Sequence, residues 1–372
     1  MHLFFKTTTC LLGFYATLAA SPIYIGTNTG GTSTSKGIYV SDFDAQTGKL
    51  TEPQLAAEYS NPGFLTQHPT KPVLLAVGAP KVPLADGSST VAAFEIGSDH
   101  VLTFLGEAST GGKGACHLAV DSTGRTVAVA NYGSGHISTV RLNDKGIPGN
   151  LISNEFNEGS GPNKTRQNSS HAHGVYFDKS NTHLMVPDLG LDKVFVYPFD
   201  ATTSNLGAAL PPLAASPGAG PRHMALSPDE KFAYVLNELD ATILTASFDG
   251  GSFKTLGIIS TLPADYSGVK STAEIEVSSD GRFVYSSNRN HDTIAVFRRD
   301  PVSGLPTFVQ HAACGGVKPR HFKIAPDGKW LLCAHQDSGT LSVLPRNPDT
   351  GELGAPVSTV AVPSPICILF PR

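Results

Sequence analysis

The sequence predicts an all-β chain made of repeats, on three observations. A short apolar strand, a Ser/Asp-Pro/Gly-Lys type turn and a second strand rich in Val, Tyr and Leu recur along it. The copies are spaced by about 50 residues, and the two ends of the chain carry complementary halves of one copy. Turn formers are abundant, with 38 Gly and 27 Pro among 372 residues, and no long stretch has helical periodicity.

The clearest copies are HMALSPDEKFAYVLN from His223, IEVSSDGRFVYSSN from Ile275 and FKIAPDGKWLLCAH from Phe322. FLTQHPTKPVLLAVG, HLAVDSTGRTVAVAN and GVYFDKSNTHLMVPD are weaker ones. Aligned on the turn, Thr70, Thr123, Ser180, Asp229, Asp280 and Asp327 fall in register, at intervals of 53, 57, 49, 51 and 47 residues. PIYIG from Pro22 is a second strand without its first, and PICILF near the C-terminus supplies the missing one. That makes seven units. About four strands per unit at this period describe a seven-bladed β-propeller whose N- and C-terminal strands share a blade, which protects the sheet edges. A closed ring offers no cut, so residues 21–372 are read as one domain despite the length.

Residues 1–20, MHLFFKTTTCLLGFYATLAA, resemble a secretory signal peptide: a weakly basic start, an apolar stretch too short for a bilayer, then small residues. The chain is therefore expected to be secreted, to the medium or the cell wall, with no membrane span. Sequons at Asn163 and Asn168 lie in a polar, strand-free segment where a glycan could attach. Without Cys10, the cysteines are Cys116, Cys314, Cys333 and Cys367, with three possible pairings; Cys333 and Cys367 sit in apolar strands, where free thiols are equally plausible. None has metal-ligand spacing. A net charge of −4 with no basic stripe argues against nucleic acid.

In a propeller blade the first strand lines the central channel and the second returns antiparallel, so the start of one and the end of the other open on the same face. Seven residues before each turn anchor stand Gly63, Cys116, His173, Arg222, Ala273 and Arg320. One place later come Phe64, His117, Gly174, His223, Glu274 and His321. Eight and nine after the anchor come Asn131-Tyr132, Asp188-Leu189, Asn237-Glu238, Asn288-Arg289 and His335-Gln336. These sets converge on one rim, where chemistry is expected.

Asn131, Asp188, Asn237 and Asn288 have a bland reading as turn residues. Arg222 and Arg320, each in a Pro-Arg-His triplet, need an anion or a carboxylate partner if buried, which makes them an anion clamp or a structural ion pair. His171 and His173 share a side of one strand but lack third and fourth metal partners; His173 reads as a general acid or base, with a core histidine as the alternative.

The phrases SSHAHG, GPRHMALSPDEKFAYVLNE, AEIEVSSDGRFVYSSNR and KPRHFKIAPDGKWLLCAH resemble, over essentially the whole mature chain, the seven-bladed lactonase family. That family includes bacterial 6-phosphogluconolactonases and fungal carboxy-cis,cis-muconate cyclases, and the exported chain looks like a fungal-type member. The resemblance implies a His-Arg-Glu-Arg site matched by His173, Arg222, Glu238 and Arg289. It also implies lactone opening or closing, without a cofactor, on a small anionic lactone or unsaturated dicarboxylate. His117, Asn131, His171, His223, Glu274, Arg320 and His321 are the expected substrate-binding residues. Two other readings stand beside it. One is a secreted or wall-bound binding propeller that holds a glycan without turnover. The other is a six-bladed gluconolactonase kind of site, with Glu238, Asn131, Asn288 and Asp188 around a calcium-like ion, against which the arginines argue.

Overall fold

The computed structural model describes residues 20–372 and, among them, contains strands and turns but no helix. The proposed leader lies outside the described residues. Seven antiparallel sheets form the ring. Blades 1 to 6 occupy residues 64–109, 115–155, 176–214, 221–260, 272–313 and 319–361. Blade 7 joins the C-terminal strand Pro365–Leu369, innermost, to Ser21–Thr27, Gly37–Asp44 and Gln54–Glu58. Tyr24 pairs with Leu369 and Ile25 with Ile368, the interleaving read from PICILF and PIYIG.

Within each blade the second strand is the most deeply buried, because it is covered by sheets on both faces. Val73–Gly78, Thr126–Asn131, Phe232–Asn237 and Phe283–Asn288 are buried along their entire length. This is why they read as unbroken apolar runs while the outer strands alternate, as in Ser252–Ser260. The hydrophobic core is accordingly a chain of clusters between adjacent blades: Tyr234, Leu236, Ile243, Val284, Ala295 and Phe297 join blades 4 and 5.

A recurring device couples neighbours on the far face. The aromatic that opens a second strand packs on a glycine in the next blade's outer hairpin: Phe232 on Gly304, Phe283 on Gly351 and Trp330 on Gly48. These glycines have φ of 73°, 79° and 71°, so both the turn and the ring exclude a Cβ. Tyr234 and Tyr285 donate to the Gly304 and Gly351 carbonyls at 2.7 Å, and accept from Arg299 and Arg346.

Candidate active site

The inner strands deliver their first residues to one mouth of the channel. Pro221–Leu226 brings Arg222 and His223, Thr272–Val277 brings Glu274, and Pro319–Ile324 brings Arg320 and His321. His173 arrives just before the short strand Tyr176–Phe177, its backbone N–H bonded to the Pro187 carbonyl at 2.9 Å. A cavity of about 370 Å³ opens there, lined by Cys116, His173, Arg222, His223, Glu274, Arg320, His321 and Gln336 among others.

Glu238, just past the strand Phe232–Asn237, is the electrostatic centre. Arg166 Nη2 donates to its Oε1 at 2.6 Å, while Arg222 Nε and Arg289 Nη2 stand 3.2 and 3.0 Å from Oε2. Those last two are ion pairs by distance whose N–H groups aim past the oxygen, so they retain donor capacity. Burial works to raise the Glu238 carboxyl, and the charges of Arg289, Arg222 and Arg166 overcome it and hold the group down to about 2. Glu238 is therefore a fixed anion rather than a proton carrier.

His173 is the opposite case. It is 5% exposed, and burial, reinforced by the charges of Arg222 and Arg320, pushes its pKa well below the ordinary histidine value. The ring is neutral at physiological pH, with Nε2 3.9 Å from Glu238 Oε2, beyond hydrogen-bond length. A neutral imidazole can take a proton, and a carboxylate at that distance stabilises the imidazolium that results. The Cys116 thiol beside His173 Nδ1 is raised by burial to about 11, which removes it as a thiolate nucleophile.

Among the described residues Arg320 has no carboxylate partner. Its guanidinium bonds only to Gln336 Oε1, at 3.3 Å, and burial together with repulsion from Arg222 and Arg289 lowers it to about 10. Three guanidinium groups (Arg166, Arg222 and Arg289) surround the single carboxylate of Glu238 and Arg320 stands beside them, so positive charge is in excess. A buried surplus of that kind is an anion site.

Other expected residues take different places. His117, His223 and His321 pack with Phe64 and Tyr176 as an aromatic floor below the cavity, with His117 itself beneath the mouth. Glu274 accepts from His223 Nδ1 at 3.0 Å and lies 3.5 Å from His321 Nε2. Burial depresses His223, so the first contact is a hydrogen bond from a neutral ring rather than an ion pair. Asn131 is fully buried and bonded to Thr110 and Ser138, away from the cavity. His171 stacks on Tyr132 at the edge of the mouth, bonded to the Tyr132 carbonyl and to Asn168. Asn168 is exposed, whereas Asn163 is half-buried and its side chain caps a turn by accepting from Thr165 and Arg166.

The residue that sequence reasoning missed is Arg166. It belongs to the strand-free segment between blades 2 and 3, outside the repeat register. Gln167, fully buried and bonded to the Leu189 carbonyl and Asp192, anchors that segment and turns Arg166 toward Glu238. Asn28, Asn61 and Ile366 also line the mouth and come from connections beyond the six aligned phrases.

Arginines, a neutral histidine and a fixed carboxylate thus meet at the channel mouth of a seven-bladed propeller. The model of the family described as lactonase, 7-bladed beta-propeller, matches residues 22–370, and the chain belongs to that family. It is 34% identical to the 6-phosphogluconolactonase of Bacillus subtilis over 351 residues, 93% of this chain and 97% of that one. It is 30% identical to the 6-phosphogluconolactonase of Formosa agariphila, over 85% of this chain and 90% of the relative. Among solved structures, the periplasmic gluconolactonase PpgL of Pseudomonas aeruginosa superposes with a TM-score of 0.88 at 30% identity, covering 95% of this chain and 99% of that one.

Proposed function

We propose that the chain hydrolyses an anionic sugar lactone of the phosphorylated gluconolactone class. The observation that carries this reading is the surplus positive charge centred on Arg320, set beside a neutral His173. Arg320 holds the substrate's anionic group, and Arg222, which lines the same cavity, faces the lactone carbonyl. His173 takes a proton from water as the water oxygen bonds to the carbonyl carbon. The oxyanion of the tetrahedral adduct is stabilised by guanidinium N–H groups already in position. Collapse of the adduct breaks the ring C–O bond, His173 returns its proton to the leaving alkoxide, and the acid product loses one proton to solvent.

The donor set supports chemistry without a bound cation. Glu238 is occupied by three arginines, Asp188 accepts from Ser170 and three backbone N–H groups, and Asn131 and Asn288 are bonded to Thr110 and Thr261. The oxygen ligands considered for calcium are thus spoken for, within a field that repels cations. Export of the chain remains part of this proposal; it rests on the leader-like residues 1–20 and on the likeness to the periplasmic gluconolactonase PpgL.

The test compares rates of acid release from 6-phosphogluconolactone, unphosphorylated gluconolactone and a muconolactone, each above its spontaneous rate and with chelator present. The expected preference is for the phosphorylated sugar lactone. Arg320→Gln should cost that substrate about 100- to 1000-fold in kcat/KM, and the neutral lactone less. Equal treatment of both by the variant would remove Arg320 from anion binding. Silence across the panel would favour a propeller that binds without turnover.

A further inference from the structure

Cys314, Cys333 and His335 lie away from the cavity, in the seam between blades 5 and 6. All three are fully buried, and their ligand atoms fall within 4.8 Å of one another. Their spacing in sequence hides this, because Cys314 follows the outer strand Pro306–Ala313 while Cys333 and His335 sit on Trp330–His335 of the next blade.

The repeat shows what is unusual here. The residue after blade 1's outer strand is Thr110, and its hydroxyl donates to Asn131 at the end of blade 2's second strand, at 2.7 Å. The residue after blade 4's outer strand is Thr261, and it donates in the same way to Asn288 of blade 5, also at 2.7 Å. At the seam of blades 5 and 6 these stations hold Cys314 and His335. The position of Val129 and Ser286 holds Cys333. A latch of hydroxyl and amide has become two thiols and an imidazole, replacing hard oxygen with soft ligands.

The imidazole is also oriented. Ser342 Oγ gives its only hydrogen to the Cys314 carbonyl at 2.7 Å, so at 2.8 Å it can only accept from His335 Nε2. Nδ1 therefore carries the lone pair, and it faces Cys314 Sγ at 3.8 Å and Cys333 Sγ at 3.9 Å. Tetrahedral zinc with bonds of about 2.3 Å to sulfur and about 2.0–2.1 Å to nitrogen has sulfur–nitrogen edges of roughly 3.5–3.6 Å, a contraction of a few tenths of an ångström from the spacing here. The backbone of Gly316 closes over the His335 ring, where a Cβ would collide. The Asp292 carbonyl, 2.9 Å from Cys314 Sγ, offers an oxygen for the fourth position.

We propose that Cys314, Cys333 and His335 form a closed structural site for a thiophilic divalent cation, zinc(II), that staples blade 5 to blade 6. Two thiolates and a divalent cation are neutral together, as a dry seam requires. Ser342 supplies the outer hydrogen bond that fixes a metal-bound histidine. Closure leaves no open position for substrate, so the role is stability.

Full-length protein, purified under reductant without chelator, is analysed for zinc, then stripped under mild denaturation and refolded with cobalt(II) or zinc(II). One zinc per chain, a sulfur-to-cobalt charge-transfer band and a higher Tm with zinc are expected. Cys314→Thr restores the residue that Thr110 and Thr261 provide, so it should fold while losing the band and the zinc-dependent Tm shift. Cys367→Ser, in the separate core between blades 7 and 1, should keep both. The proposal is overturned if refolded protein takes up no cobalt, if Cys314→Thr binds it as well as the parent, or if Cys314 and Cys333 are found joined as a disulfide.

Discussion

Glu238 and His173 are both titratable and nearly in contact, yet their surroundings drive them to opposite tasks. Three guanidinium groups hold the carboxyl ionised at about 2, whereas burial and the same positive field keep the imidazole uncharged. Glu238→Gln should therefore act through the arginines: it leaves Arg222 and Arg289 buried without a counter-charge, at a cost of about 3–5 kcal/mol in stability. The check is chemical denaturation beside kcat, and a variant that unfolds like the parent would mean that the arginines are neutralised by other groups. The rim positions of His173, Arg222, Glu238, Arg289 and Arg320 were legible from spacing within the repeat, because the blade fixes which residues meet at the mouth. Arg166 was not, since it comes from an excursion that obeys no repeat and is positioned by the burial of Gln167.

At the scale of the strand and hairpin, the same blade phrase encodes both halves of the clasp between blades. Phe283 begins one unit's second strand and Gly351 turns the next unit's outer hairpin, so each blade is completed by its successor. Gly351→Ala introduces a Cβ into the Phe283 ring at a φ of 79°, and should destabilise the fold by about 1–3 kcal/mol with kcat unchanged. Thermal unfolding and steady-state kinetics on one preparation separate the two effects; a fall in kcat at an unchanged Tm would contradict the assignment. The second strands announced themselves as apolar runs and the seven-unit count followed from the interleaved ends. The short strands of blade 3, Tyr176–Phe177 and Leu213–Ala214, carried little pattern because each is only two residues long. The cysteines illustrate the limit of reading along the chain: Cys314 and Cys333 meet only because two blades pack side by side.

Over the whole ring, the channel also holds four histidines kept uncharged beside its arginines and carboxylates. Burial drives His117, His173 and His223 well below the ordinary histidine value of 6.5, and His321 down to about 4. The unfolded chain takes up protons at these positions below pH 6.5 while the folded ring does not. Their contribution is therefore complete above 6.5 and is lost as the pH falls from there toward 4. Four such groups give a slope of at most about 5 kcal/mol per pH unit. Tm should decline steeply below pH 6.5 and be nearly flat above it; a Tm constant from pH 7 to 5 would mean that the channel histidines titrate in the native state as they do in the unfolded chain. We propose that this channel mouth opens a lactone with His173 as the base. The most direct measurement is the rate of proton release from 6-phosphogluconolactone at constant neutral pH, in chelator, by the parent chain and His173→Ala at matched folded fraction. A parent rate above the spontaneous one, reduced about 100- to 10,000-fold in kcat by the substitution, is the predicted result. Equal rates for the two chains would contradict it.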